Sequence, residues 1–315
     1  MSTFTICGSQ KHLKWSSSIP PVHRCQSGGV VTFQTIDGSN GQITTHSTVK
    51  DLHSFDLAQA DPVFGPVYVE EAEIGDVLEV ELVDLQPANW GWTCIFPGFG
   101  LLADDFLDTY ELKLWDLSNG TTAVFKPGIE IPIRPFMGTI GIAPPEGVEL
   151  PMIPPHESGG NVDCKYLTSG AKLYLPVKAR GALFSCGDGH AAQGDGEVCG
   201  TAIETPMTVS VKLTVHKDKP YVTSPQYLSC PSSHPDILAS KGYYSVLGID
   251  SSLVEASKKA LRGMLEYLVK EHLLSRIEAY MLCSVTADLQ IVEAVDMPNY
   301  AVACRLPLAI FTKGN

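Results

Sequence analysis

The stretch from Met207 to His216, MTVSVKLTVH, alternates without a break. Met207, Val209, Val211, Leu213 and Val215 are apolar, and Thr208, Ser210, Lys212, Thr214 and His216 are polar. Successive side chains of an extended chain point to opposite faces, so a period of two dictates a strand with one buried and one wet face. Val77 to Leu85, VLEVELVDL, repeats the pattern, with Leu78, Val80 and Leu82 set against Glu79 and Glu81. Glu73 to Asp76 supplies a turn before it, and Pro66 to Val69 is expected to pair with it as the other arm of a hairpin. Ala171 to Val177 is a further strand, in which Pro176 implies an edge or a bulge. The prolines crowded between Pro132 and Pro155 predict an ordered, looping connection rather than a helix.

Helical spacing is confined to the back of the chain. Ser251 to Glu255 reads as an N-cap region with a capping glutamate. Leu253, Ala256, Ala260, Leu261, Met264, Leu265 and Leu268 then fall on one helical face. A second short helix is expected over Ser275 to Cys283 and a last strand over Ala301 to Leu306. The expected fold is mainly β, a β-sandwich or distorted barrel with a small α+β element near the C-terminus. Residues 1–315 are read as a single unit with a helical subregion at about 250–285; the other division is two domains parted near Pro144 to Pro155.

A formal net charge of −13 argues against nucleic acid and anionic membrane surfaces as partners. The nine cysteines are odd in number and form no CxxC pair, which predicts reduced thiols in a reducing compartment. No basic stretch followed by an apolar run opens the chain, and no run reaches the length of a membrane span. A cytoplasmic protein is expected.

Chemistry is concentrated in Ser185 to Glu204, SCGDGHAAQGDGEVCGTAIE. Asp188 and His190 are two residues apart, which on a strand puts both on one face. The glycines around them cost backbone entropy, about 0.5–1 kcal/mol each relative to Ala, and they permit close approach by a ligand. Upstream, His156 to Asp163, HESGGNVD, is a second glycine-rich polar cluster. If the two meet, Asp163, Asp188 and His190 form a mixed oxygen and nitrogen set suited to Zn2+, with Mn2+ or Fe2+ also compatible. Glu197 is then the first candidate for general base, with Glu204 or Asp195 next in line. Asn161 and Gln193 could hydrogen-bond a substrate amide. The same spacings also fit a pair of Asx-type turns with no metal.

Several longer blocks resemble the acetamidase/formamidase family, in that family's order. They are GPVYVEEAEIGDVLEVEL (65–82), GGNVD (159–163), LYLPV (173–177), GALFSCGDGHAAQGDGEVCGTAIE (181–204), EAYMLCSVTADLQI (278–291) and RLPLAIF (305–311). The resemblance spans roughly residues 25 to 311. It implies a largely β fold, homo-oligomers, a bound divalent metal such as Zn2+, and hydrolysis of a small carboxamide to carboxylate and ammonia. Attack on an amide carbonyl needs an activated water, which a metal can supply. Asp163, Asp188 and His190 fall in the family's polar site motifs, Glu197 in its GDGE element and Glu204 in the element that follows. The chain departs from the family at Glu71 and Ile74, where Gly and Pro are frequent, and at Phe64, where a smaller residue is usual. Phe64 would bear on substrate size if it lined the cavity.

Two other readings are open. Cys186, Cys199 or Ser185 with His190 as base would make a covalent amidase, although no GxSxG elbow is present. A non-enzymatic β-module with a structural Ca2+ would use the same acids, but His190 is a poor ligand for calcium. His46 and His53 stand in a polar run; either could complete a metal site, but both are read as ordinary exposed or half-buried histidines.

Overall fold

Two sheets of six strands each bury their apolar faces against one another. The computed structural model describes residues 4–219, 222, 225–228, 243–293 and 300–312. In the first sheet the order is Phe4–Cys7, Gly29–Thr35, Met207–His216, Val77–Pro87, Lys172–Pro176 and Gln226–Leu228. The strand Met207–His216 lies near its centre with the burial its alternation dictates: Met207, Val209, Val211 and Leu213 are buried, and Thr208, Ser210 and Lys212 are half-buried. The second sheet runs Gly159–Asn161, Phe136–Gly141, Phe184–His190, Val63–Val69 and Lys11–His12, with His23–Cys25 added in parallel to Val63–Val69. Val31, Val80, Leu82 and Leu213 of the first sheet share a core with Val67, Ile140 and Phe184 of the second. Phe33 meets Phe184 edge to face at 5.8 Å. The sheets are not closed into a barrel, so the sandwich form of the expectation is the one adopted.

The hairpin expected between Pro66–Val69 and Val77–Leu85 does not form. Val63–Val69 pairs with Phe184–His190 in the second sheet, while Val77–Pro87 pairs with Met207–His216 and Lys172–Pro176 in the first. Val63–Val69 is buried almost throughout, which suits the middle of a sheet better than an arm with one wet face. The turn between them therefore carries the chain from one sheet to the other. Within it Glu71 takes a positive φ of 64°, a conformation that favours glycine, and Ile74 is exposed. Pro176 pairs with Val77 beyond the reach of Gln226–Leu228, where its missing N–H costs no ladder bond on that side. The proline-rich stretch holds no helix, but the strand Phe136–Gly141 runs through it.

A second core gathers around the C-terminal helices Leu253–His272 and Arg276–Thr286. Ser252 caps the first helix, its hydroxyl accepting from the Glu255 N–H. Ser275 and Glu278 close a reciprocal capping box on the second, one residue later than its expected start. A small antiparallel sheet accompanies these helices. In it Tyr243–Asp250 pairs with Tyr300–Pro307, and that strand in turn pairs with Asp288–Glu293. All cysteines among the described residues are free. No helix among them is long and apolar enough to cross a membrane.

Candidate active site

Three adjacent strands of the second sheet bring the two polar clusters together. Thr139 pairs with Asn161 on one side and with Gly187 on the other, so Asn161 and the Asp188 segment flank Phe136–Gly141. The backbone N–H groups of Val162 and Asp163 both donate to Gly138 O, at 3.1 and 3.2 Å. Asp188 and His190 lie on one face of their strand, as their spacing requires, with His190 Nε2 3.1 Å from Asp188 Oδ2.

Glu204 arrives by a different route. The chain leaves the strand at His190, loops through Gly194–Gly200 and returns antiparallel to itself. Ala191 N donates to Ile203 O at 2.8 Å and Ile203 N to Ala192 O at 2.9 Å. This return sets Glu204 Oε2 3.2 Å from His190 Nε2, while Glu197 Oε1 stands 4.0 Å from the same nitrogen. Ligand atoms of Asp188, His190 and Glu204 lie within 4.8 Å of one another, and so do those of Asp163, His190 and Glu197. His190 belongs to both groups, and the expected trio of Asp163, Asp188 and His190 is thus divided between them.

Asp163, Asp188, His190, Glu197 and Glu204 all line one cavity of about 430 Å³, together with Asn161 and Gln193. Asp195 does not. Its carboxylate accepts from Tyr166 Oη at 2.9 Å and lies 3.5 Å from Lys165 Nζ, away from the cavity lining. Side chains of adjacent loop residues diverge, so lying between Gln193 and Glu197 in sequence did not carry Asp195 inward. Phe64 is fully buried in the core between the sheets and lines no part of the cavity. His46 is exposed, and His53 packs on Tyr110.

Groups that sequence reasoning passed over complete the site. Asp61 lines the cavity, held by its N–H on Gly38 O at 2.8 Å. Gly38 and Gly138 form a cradle. A Cβ on Gly138 would lie 2.8 Å from Asp163 Oδ1 and closer still to Asp188 Oδ2 and His190 Cε1. A Cβ on Gly38 would lie 3.0 Å from Asp61 Oδ1 and 3.1 Å from Glu204 Oε2, and would collide with Asp188 Oδ1. Neither glycine sits in a periodic pattern that marks it from sequence.

The electrostatics are one-sided. Five carboxylates and one imidazole face the cavity, and no Lys or Arg is among the described residues that line it. Burial pushes the Asp163 carboxyl up to about 7 and that of Glu204 up to about 8. Burial and the neighbouring Asp163 raise Glu197, and burial with Asp188 and Glu204 raises Asp61. Burial opposes the charged form of His190, but Glu204 and Asp188 outweigh it and raise its proton affinity. Gln193 settles the ring's orientation. Its Nε2 donates to Asp163 O at 3.0 Å, so its Oε1 faces His190 Nδ1 at 2.8 Å and accepts from it. Nε2 is thereby the atom turned to the carboxylates. Asp163 Oδ1, Asp188 Oδ1 and Glu204 Oε2 are buried without a hydrogen-bond partner. Buried orphan oxygens around an imidazole nitrogen, with glycines clearing the space between them, fit a divalent cation.

The thiols do not fit a nucleophilic role. Cys186 is fully buried in the core, and burial drives its thiol far above the ordinary range; burial pushes Cys199 up to about 11. Ser185 Oγ meets His12 Nε2 at 2.9 Å rather than His190.

A β-sandwich whose second sheet helps gather five carboxylates and one imidazole around a single cavity offers the kind of groups that hydrolytic enzymes use. Residues 5–151 and 149–313 match the family model described as Acetamidase/Formamidase family. The chain belongs to that family. It is 25% identical to a formamidase of Methylophilus methylotrophus, an alignment covering 96% of this chain and 89% of the relative. It is 29% identical to an acetamidase of Mycolicibacterium smegmatis over 61% of this chain and 63% of the relative. Among solved structures, a gamma lactamase from Delftia acidovorans superposes with a TM-score of 0.88 at 26% identity, covering 96% of this chain and 90% of that one. An acetamidase from Bacillus halodurans gives 0.68 at 32% identity, with 98% of each chain covered.

Proposed function

We propose that this amidohydrolase cleaves a carboxamide to carboxylate and ammonia with the help of a divalent cation, Zn2+ by the donor set, held by His190 Nε2, Asp188 and Glu204. The observation that carries the reading is the convergence of orphan buried oxygens on an imidazole nitrogen whose other nitrogen is fixed by Gln193. A cation bound there would supply Lewis-acid polarisation of the amide carbonyl and would acidify a water.

This chain's own residues do the rest. Glu197, half-open to the cavity and raised in proton affinity, takes the proton from the attacking water and returns it to the amide nitrogen as the C–N bond breaks. Asn161 Oδ1 accepts from Thr139 Oγ1 at 2.6 Å, which leaves the Asn161 amide N–H groups as donors toward the substrate. Gln193 acts through His190 rather than on the substrate. Asp163, fixed on Gly138 O beside Glu197, adds negative charge that keeps Glu197 basic. Homo-oligomeric assembly, which the family resemblance implies, belongs to the same proposal.

The test is ammonia release from a panel of primary amides, before and after chelation and after Zn2+ is restored. Turnover that stops on chelation and returns with Zn2+ supports the reading. Turnover indifferent to chelation removes the cation from it, and calcium content without any amide turnover favours a binding module.

A further inference from the structure

We infer that the amide cleaved here carries a large, neutral, apolar acyl group of the aryl-acetamide kind; this rests on the amide-hydrolase reading above. The volume is the first reason. A cavity of about 430 Å³ lies in the range of about 300–1,000 Å³ that houses drug-sized ligands, far beyond the few atoms of formamide or acetamide.

The lining is the second. Phe55, Trp92, Phe96 and Phe99 line the same cavity as the carboxylates. Phe96 and Phe99 stack at 4.9 Å with planes 6° apart, Phe55 lies 5.7 Å from Phe96, and Phe55 lies 6.4 Å from Trp92. The three phenylalanines are only half-buried, so apolar ring surface faces the cavity. Such surface favours a ligand ring over water.

The wall is also fixed in place. A Cβ on Gly200 would collide with the Phe99 ring, so the ring rests directly on the loop that carries Glu197. Leu101 N donates to Val198 O at 2.9 Å. Tyr280 Oη donates to Val198 O at 2.5 Å and accepts from Leu102 N at 2.8 Å. A ring bound on this wall is therefore held in register with Glu197. The acids add a negative criterion: without a lining Lys or Arg among the described residues, an acyl group ending in a carboxylate is repelled.

The test measures kcat/KM for ammonia release from formamide, acetamide, phenylacetamide and succinamate, with the purified protein supplied with Zn2+. Phenylacetamide is expected to exceed acetamide by about 100-fold, as burial of a phenyl ring allows, with succinamate poorest. Phe96→Ala is expected to shrink the phenylacetamide-to-acetamide ratio at least about tenfold. The wild-type ratio decides the matter even where that variant does not fold. Acetamide or formamide equal to or better than phenylacetamide overturns the inference and leaves amide hydrolysis standing. Ammonia from none of the amides overturns both.

Discussion

Gln193 Oε1 accepts a hydrogen bond from His190 Nδ1 at 2.8 Å, and through it the ring's Nε2 is aimed at Asp188 and Glu204. The pair sits three residues apart, where the chain leaves its strand. The orienting group is thus encoded next to the group it orients. An outer partner of this kind fixes the tautomer and the plane of a ligating imidazole.

Replacing that partner tests its role. Gln193→Leu is expected to weaken Zn2+ binding by about 10–100-fold with far-ultraviolet circular dichroism unchanged. Competition against a chromophoric chelator reads the affinity. An affinity equal to the parent's would mean that the ring is fixed by its strand alone.

Ligand and base separate by their signatures. Asp188→Asn and Glu204→Gln should lose bound Zn2+ and turnover together. Glu197→Gln should retain the ion and lose about 10²–10⁴-fold in kcat. Metal content by atomic emission, set beside the rate, distinguishes them, and a Glu197→Gln enzyme with the parent's kcat would assign the proton transfer elsewhere.

The carboxylates predict a pH dependence with a defined sign. Asp163 at about 7 and Glu204 at about 8 bind protons more tightly than in an unfolded chain, where the usual values are 3.8 and 4.5. The cation-free fold therefore holds more protons than the unfolded chain across that interval. The stability they contribute is complete below about pH 4 and is lost as pH rises through 7 and 8. A thermal melt of chelated protein should fall between about pH 6 and about pH 8.5, with a shallower fall in Glu204→Gln. Zn2+ should bind more tightly as those protons leave, so its affinity rises over the same interval. A chelated protein whose melting point climbs with pH there, with Glu204→Gln no different, contradicts this.

Gly138 tests the cradle. Gly138→Ala sets a methyl group against Asp163, Asp188 and His190. Loss of Zn2+ binding by at least about tenfold is expected, larger than for Gly120→Ala at an open surface turn that shares no contact with the site. Isothermal titration would show it, and unchanged binding would mean that the cation lies elsewhere in the cavity.

The sequence by itself determined what depends on near neighbours. Met207 to His216 had to be a strand because its period is two, and Asp188 and His190 had to share a face for the same reason. Ser275 and Glu278 mark a helix start because a cap is a local exchange of hydrogen bonds. The family blocks located most of the acids. Tertiary structure alone decided which acids meet. Glu204 reaches His190 because the chain folds back at Ile203, Asp61 enters on Gly38, and Asp195 is drawn off to Lys165. It also moved Val63–Val69 from the expected hairpin into the other sheet and assembled the aromatic wall from the strand Trp90–Ile95 and the loops that carry Phe55, Phe96 and Phe99. Loops carry no periodicity, and the contacts that place them join residues distant in sequence, so their positions follow from packing and strand pairing rather than from any local pattern.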